Sequence, residues 1–236
     1  MSDGERPAPR RGLALAHAVS MAAAAGAAVL TGRPLWFGAG GAASLLVWVV
    51  LVDRPWSRAE LGTLANAITF ARLAGCAALP ALFTRVPAVA FTAVLFGLLA
   101  VDGIDGAVAR RTGRSTPFGA RLDLEADAFL TLMMCLMLRQ AGLVGSWVLI
   151  AGLWRYAYSG LLAVIPARGE EPRSRLSRAI AGLLMLSLSG AFLLGPTWAP
   201  AAAGLGTALV SCSFVRSLIW SYRRPPRAPS PAPGGG

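Results

Sequence analysis

Long apolar runs recur along almost the whole chain, separated by short polar segments. They fall at about residues 13–31, 35–52, 61–86, 88–110, 118–138, 144–165, 176–194 and 199–220. A helix needs about 20 mostly apolar residues to cross the hydrocarbon of a bilayer, and each run approaches that length. Backbone groups in hydrocarbon must satisfy their own hydrogen bonds, so the runs are predicted to be helices. The fold class expected is all-α, a polytopic membrane helix bundle of eight spans. The punctuation agrees with it. Gly32, Arg33 and Pro34 make a turn between the first two runs, Trp56 is placed as an interfacial anchor, and Gly113 and Pro117 break the chain after the fourth. Residues 1–12 and 223–236, rich in Pro and Arg or in Pro, Ala and Gly, are predicted to be disordered tails. Arg10 and Arg11 before the first run also fit a signal peptide. Its length, and the second run that follows at once, favour a retained span.

What interrupts the apolar pattern carries the chemistry. Asn66, Thr69 and Arg72 are spaced three apart and share one helical face at the start of the third run. The densest interruption lies between Asp102 and Asp127, with carboxylates at Asp102, Asp105, Asp123 and Asp127. A charged side chain within hydrocarbon costs roughly 3 kcal/mol on the insertion scale, so four of them beside lipid point to function. Asp102 and Asp105 share a face of one helix, and Asp123 and Asp127 share a face of the next. A short loop joins the two helices and makes them candidate antiparallel neighbours, able to bring all four carboxylates to one cavity. An all-oxygen ligand set suits Mg²⁺ or Mn²⁺ rather than zinc, and four carboxylates suffice for two ions. Gly106 would let a ligand approach the backbone, Arg110 can pair with a phosphate, and Gly119 opens a helix whose N–H groups can meet anionic atoms. Glu125 points away from Asp123 and is read as a structural partner for an arginine.

Charge adds sidedness. The net charge is +11, and the basic residues are all arginine. No soluble module is present to use that charge on nucleic acid, so lipid headgroups and topology account for it. The segments ascribed to the cytoplasmic side hold sixteen arginines (6, 10, 11, 54, 58, 110, 111, 114, 121, 168, 173, 175, 178, 223, 224, 227) against three opposite (33, 85, 139). This bias puts both termini and the aspartates on the cytoplasmic face of the cell (inner) membrane. Cys76, Cys135 and Cys212 have no metal-ligand spacing and read as small buried residues. His17, the sole histidine, reads as a tolerated polar residue.

The string Asp102-x-x-Asp105-Gly106-x-x-Ala109-Arg110, eight residues, Gly119-x-x-x-Asp123-x-x-x-Asp127 resembles the signature of the CDP-alcohol phosphotransferases, with every position filled. The resemblance implies a six-span catalytic body over residues 63–222, with residues 13–62 forming two extra helices and a link. It implies transfer of a phosphatidyl group from a CDP-linked lipid, usually CDP-diacylglycerol, to an alcohol, with release of CMP. It further implies that the four aspartates hold two divalent ions and that Asp127 is the base. By the same resemblance Asn66, Thr69, Gly106, Ala109, Arg110, Thr116 and Gly119 lie along the CDP moiety, and the protein is a homodimer. The acceptor is open. Arg121, Arg155, Arg173, Arg175 and Arg178 are candidates for an acceptor phosphate, as in glycerol 3-phosphate or inositol phosphate, or they serve topology alone. An ion-coupled transporter would place carboxylates at mid-bilayer on broken helices in repeated halves, a pattern absent here. A catalytically idle scaffold would not need the full set of aspartates.

Overall fold

The computed structural model describes residues 8–52, 64–112, 117–165 and 175–223, apart from the side chains at 8–10, 50, 52, 64–66, 102–112, 117–118 and 175. The described chain is helical throughout: α1 (Ala8–Thr31), α2 (Leu35–Val52), α3 (Leu64–Phe83), α4 (Ala88–Thr112), α5 (Pro117–Gln140), a 3₁₀ turn (Ser146–Val148), α6 (Leu149–Val164) and α7 (Arg175–Arg223). α1 begins within the stretch expected to be a polar tail, so residues 8–12 are helical. The remainder of that tail, the 53–63 link, Thr116, Arg173 and the 224–236 tail lie outside the described residues.

Glycine makes the reversals. Gly32 (φ 66°) closes α1, and the Arg33 N–H donates to the Ala28 carbonyl at 3.1 Å. Gly142 (φ 68°) closes α5 in the same way, with Leu143 donating to Leu138 at 3.1 Å. Both are left-handed caps that satisfy carbonyls a helix end leaves open. α7 is two helices in one run. Gly195 (φ 66°, ψ 177°) leaves helical geometry at its middle, and Pro196 follows. The halves fold back on each other, since a side chain at Gly206 would collide with Leu184 and Ser187. The seventh and eighth apolar runs of the sequence are these halves.

α5 is the axis of the bundle. It touches α1, α2, α3, α6 and α7, and residues 128–138 are buried on every side. Phe129 stacks on Phe37 of α2 with centroids 5.0 Å apart. Phe83, Phe91 and Phe192 form edge-to-face pairs that tie α3, α4 and α7 together. Trp154 of α6 donates to Ser211 at 2.7 Å and stacks on Phe214, fixing α6 to the second half of α7.

Among the described residues three helical stretches, Arg11–Thr31, Ser146–Val164 and Leu176–Arg223, are long and apolar enough to cross a membrane, and Leu35–Val49, Ala67–Phe83 and Ala88–Val101 are shorter apolar helices. This is a multi-pass all-α architecture. α5 is not among these stretches. Its first turns are charged, and neighbouring helices rather than lipid surround its apolar part.

α5 and α6 approach closely at Gly152, where a Cβ would lie 2.6 Å from the Leu132 Cα. Gly152→Ala should therefore destabilise the protein by about 1–3 kcal/mol. The measurement is thermal unfolding in detergent, with Gly97→Ala, whose side chain meets open space, unchanged or slightly more stable.

Candidate functional site

The first turns of α5 carry acids on two opposite faces, and the structure gives each face its own cations. On one face Asp123 and Asp127 stand one turn apart and half open, with side chains 50% and 40% exposed. Both meet a single nitrogen of Arg72 on α3. Arg72 Nη2 lies 2.7 Å from Asp123 Oδ1 and 3.3 Å from Asp127 Oδ1, and also approaches the Asp123 carbonyl at 3.4 Å. Arg72 is itself buried, at the level of Thr69 one turn earlier. Two carboxylates thus converge on one position of positive charge, open to solvent on the far side.

The opposite face is closed. Glu125 is almost completely buried. Arg155 of α6 donates from Nη2 to Glu125 Oε1. The second oxygen, Oε2, lies 3.6 Å from His17 Nε2 of α1. The other imidazole nitrogen, Nδ1, is 2.9 Å from the Ser44 hydroxyl of α2. Trp48 and Tyr156 pack on the imidazole with centroids at 5.4 and 5.8 Å. The arginine expected beside Glu125 is therefore Arg155.

The remaining candidates fall as follows. Thr69 is buried, while Gly119 and Arg121 are half-buried near the start of α5, all three within interaction distance of neighbours. Arg178 is exposed at the start of α7. Helical backbone carries Asn66, Asp102, Asp105, Gly106, Ala109, Arg110 and Arg175, whose side chains lie outside the described residues. Thr116 and Arg173 lie outside them altogether. Among the described residues no three acids, histidines or cysteines converge on a cation position; the side chains of Asp102 and Asp105 lie outside them. The pair that is present fits a divalent ion: hard oxygen donors, half solvated, already drawn to one cation. Magnesium sites often use one or two carboxylates together with substrate phosphates.

The family model described as CDP-alcohol phosphatidyltransferase matches residues 62–217. The chain belongs to that family. It is an enzyme of the CDP-alcohol phosphotransferase type, and the match begins just before α3 and ends inside the second half of α7. α1 and α2 lie outside it. No protein of curated function and no solved structure matches the chain. Pattern reading missed the pairing of Arg72 with Asp123 and Asp127 within the phosphotransferase body, and the reach of His17 from α1 to Glu125. Arg72 was legible as a face-mate of Thr69, but its partner lies 51 residues away.

Removing one partner of a buried ion pair leaves an uncompensated charge and costs about 3–5 kcal/mol. Arg155→Ala in this phosphotransferase should lower stability by that order, and Arg155→Met with Glu125→Leu should recover most of it. Thermal or denaturant unfolding of the single and double variants measures both.

Proposed function

We propose that the protein is an integral-membrane enzyme of phospholipid synthesis. It transfers a phosphatidyl group from a CDP-linked lipid, CDP-diacylglycerol, to an alcohol and releases CMP. The observation that carries this reading is the convergence of Asp123 and Asp127 on one cationic position at the half-open face of α5, in a chain of this family. With Asp102 and Asp105 they would hold two divalent ions, Mg²⁺ or Mn²⁺. Bound there, the ions supply charge neutralisation at the pyrophosphate and at the departing CMP.

The chain's own residues do the rest. Asp127 accepts the proton of the acceptor hydroxyl, whose oxygen attacks the phosphorus that carries the diacylglycerol; the bond from that phosphorus to CMP breaks. Asn66, Thr69, Gly106, Ala109, Arg110, Thr116 and Gly119 line the CDP moiety, with Arg110 on phosphate oxygen. Arg72 holds the two carboxylates of α5 in register before the donor arrives. An apolar crevice of about 150 Å³, lined by Phe70, Leu73, Ala74 and Ala77 of α3 and by Ala42, Leu45 and Leu46 of α2, opens on the side of α3 away from the acids. Its lining suits hydrocarbon. The body is six spans preceded by two more, the site faces the cytoplasm as the arginine distribution requires, and the working unit is a homodimer. Arg121, Arg173, Arg175 and Arg178 are left as contacts for a phosphorylated acceptor. Arg155 is committed to Glu125.

The test is CMP release from CDP-diacylglycerol with Mn²⁺ across glycerol 3-phosphate, inositol phosphate, serine, choline and phosphatidylglycerol. CMP should appear with one acceptor. Asp127→Asn should reduce that turnover by at least about 10²-fold, the lower end of general-base contributions, with unfolding temperature unchanged. Retained turnover would sink the role given to Asp127.

A further inference from the structure

α1 and α2 lie outside the part of the chain that matches the family, yet they are not peripheral. α1 packs on α6 and reaches α5, and α2 packs on α3 and α5. Their polar residues show what this packing is for. In the mainly apolar helix α1, His17 is 6% exposed, and it is directed at Glu125, which is 2% exposed. Ser44 of α2 holds its other nitrogen. Each helix of the N-terminal hairpin thus contributes one polar side chain, and the two form a chain ending at an acid of the signature helix.

A buried carboxylate needs more than one cation can give, since it has two oxygens with several lone pairs. Arg155 serves Oε1 only. Among the described residues the nitrogen facing Oε2 is His17 Nε2, which is a donor in the tautomer whose Nδ1 accepts from the Ser44 hydroxyl. Among the described residues His17 Nε2, Arg155 Nε and the Tyr156 hydroxyl are buried with no hydrogen-bond partner, and the rings of His17 and Tyr156 are in contact. Donors left over beside one carboxylate give it a positive surround in a medium of low dielectric, where a separation of 3.6 Å still matters.

Glu125 stands two residues from Asp123 and two from Asp127. On a helix this places it near the opposite side from both. Whatever fixes Glu125 fixes the roll of α5 about its axis, and the roll decides where Asp123 and Asp127 point. A Glu125 deprived of its second donor gains by moving towards water, and α5 must rotate or shift to allow it.

We propose that His17, held by Ser44, is a positioning residue for the phosphotransfer site: through Glu125 the N-terminal hairpin sets the orientation of the Asp123–Asp127 face. This rests on the reading of that face as the cation-binding one. The two added helices are then a working part of the catalytic unit.

The experiment uses the purified full-length protein in detergent, with Mn²⁺ binding followed by the electron paramagnetic resonance of free Mn²⁺ and with CMP release from CDP-diacylglycerol measured in parallel. His17→Phe keeps the ring and its contacts with Trp48 and Tyr156 but removes the donor. His17→Gln keeps a donor and loses the ring. His17→Phe should weaken Mn²⁺ binding about tenfold and raise the half-activating Mn²⁺ by the same factor, while His17→Gln stays within about threefold of wild type, the scale set by outer-shell partners of metal ligands. A purely structural, packing role predicts the reverse order. Wild-type affinity in His17→Phe, or equal losses in both variants, overturns the proposal. If His17→Phe does not fold, the comparison moves to Glu125→Gln. With the buried charge gone, Glu125→Gln and its double variant with His17→Phe should bind Mn²⁺ equally; a further loss in the double overturns the proposal. Mn²⁺ binding without CMP release in the wild type overturns the phosphatidyl-transfer reading alone, and the His17 variants are then decided on binding. A wild type that binds no Mn²⁺ overturns both.

Discussion

Three acids within five residues of one helix, Asp123, Glu125 and Asp127, cannot all be buried and cannot all be exposed. That constraint organises the structure. Their spacing sends Glu125 to one side and the aspartates to the other, so α5 needs cations on both flanks. Arg72 comes from α3 on the open side and Arg155 from α6 on the closed side. Each pair acts as a strut between helices, because an ion pair in a weakly screening interior is strong only when its geometry is held. The two struts grip α5 from opposite directions. Below them the helix is buried all round, and the packing of Phe129 on Phe37 and of Leu132 on Gly152 prevents it from slipping.

The asymmetry of the two sides separates stability from chemistry. The closed side is apolar apart from the cluster around Glu125, and it is sealed by aromatic rings. The open side leaves Asp123 and Asp127 half solvated, with one cation between them. A guanidinium that shares two carboxylates keeps them close together in the absence of any other charge. It is also a group that substrate or metal can compete with, because its partners are accessible. On the proposed reading, the face that holds the reaction is the one whose charges are incompletely buried, and the face that holds the helix is the one whose charges are fully enclosed.

The extra helices fit this division. A hairpin of two apolar helices would bind a bundle by packing alone. Here it also places His17 against an acid on the helix that bears the family signature, with Ser44 behind it. The pocket between α2 and α3 shows a second consequence: α2 makes one wall of an apolar crevice that flanks α3. The N-terminal pair therefore borders α3 and α5, the two helices that supply Arg72 and its carboxylates.

Much of this was legible in the amino-acid order. Run lengths and breakers determined an all-α, multi-pass chain, since hydrocarbon leaves the backbone no other way to satisfy its hydrogen bonds. The break between the seventh and eighth runs was visible in their lengths, and the structure puts it at Gly195, whose φ of 66° leaves helical geometry before Pro196. The spacing of Asp123 and Asp127 placed them on one face, and Glu125 on the other, through helical periodicity alone. The family signature was a linear pattern and could be read as one. What the tertiary structure decided is which cation goes to which acid. Arg72, Arg155 and His17 lie far from their partners in the chain, and nothing local distinguishes an arginine that meets lipid headgroups from one that meets a carboxylate. Periodicity says which way a side chain points along its own helix; only the packing of helices says what stands opposite it.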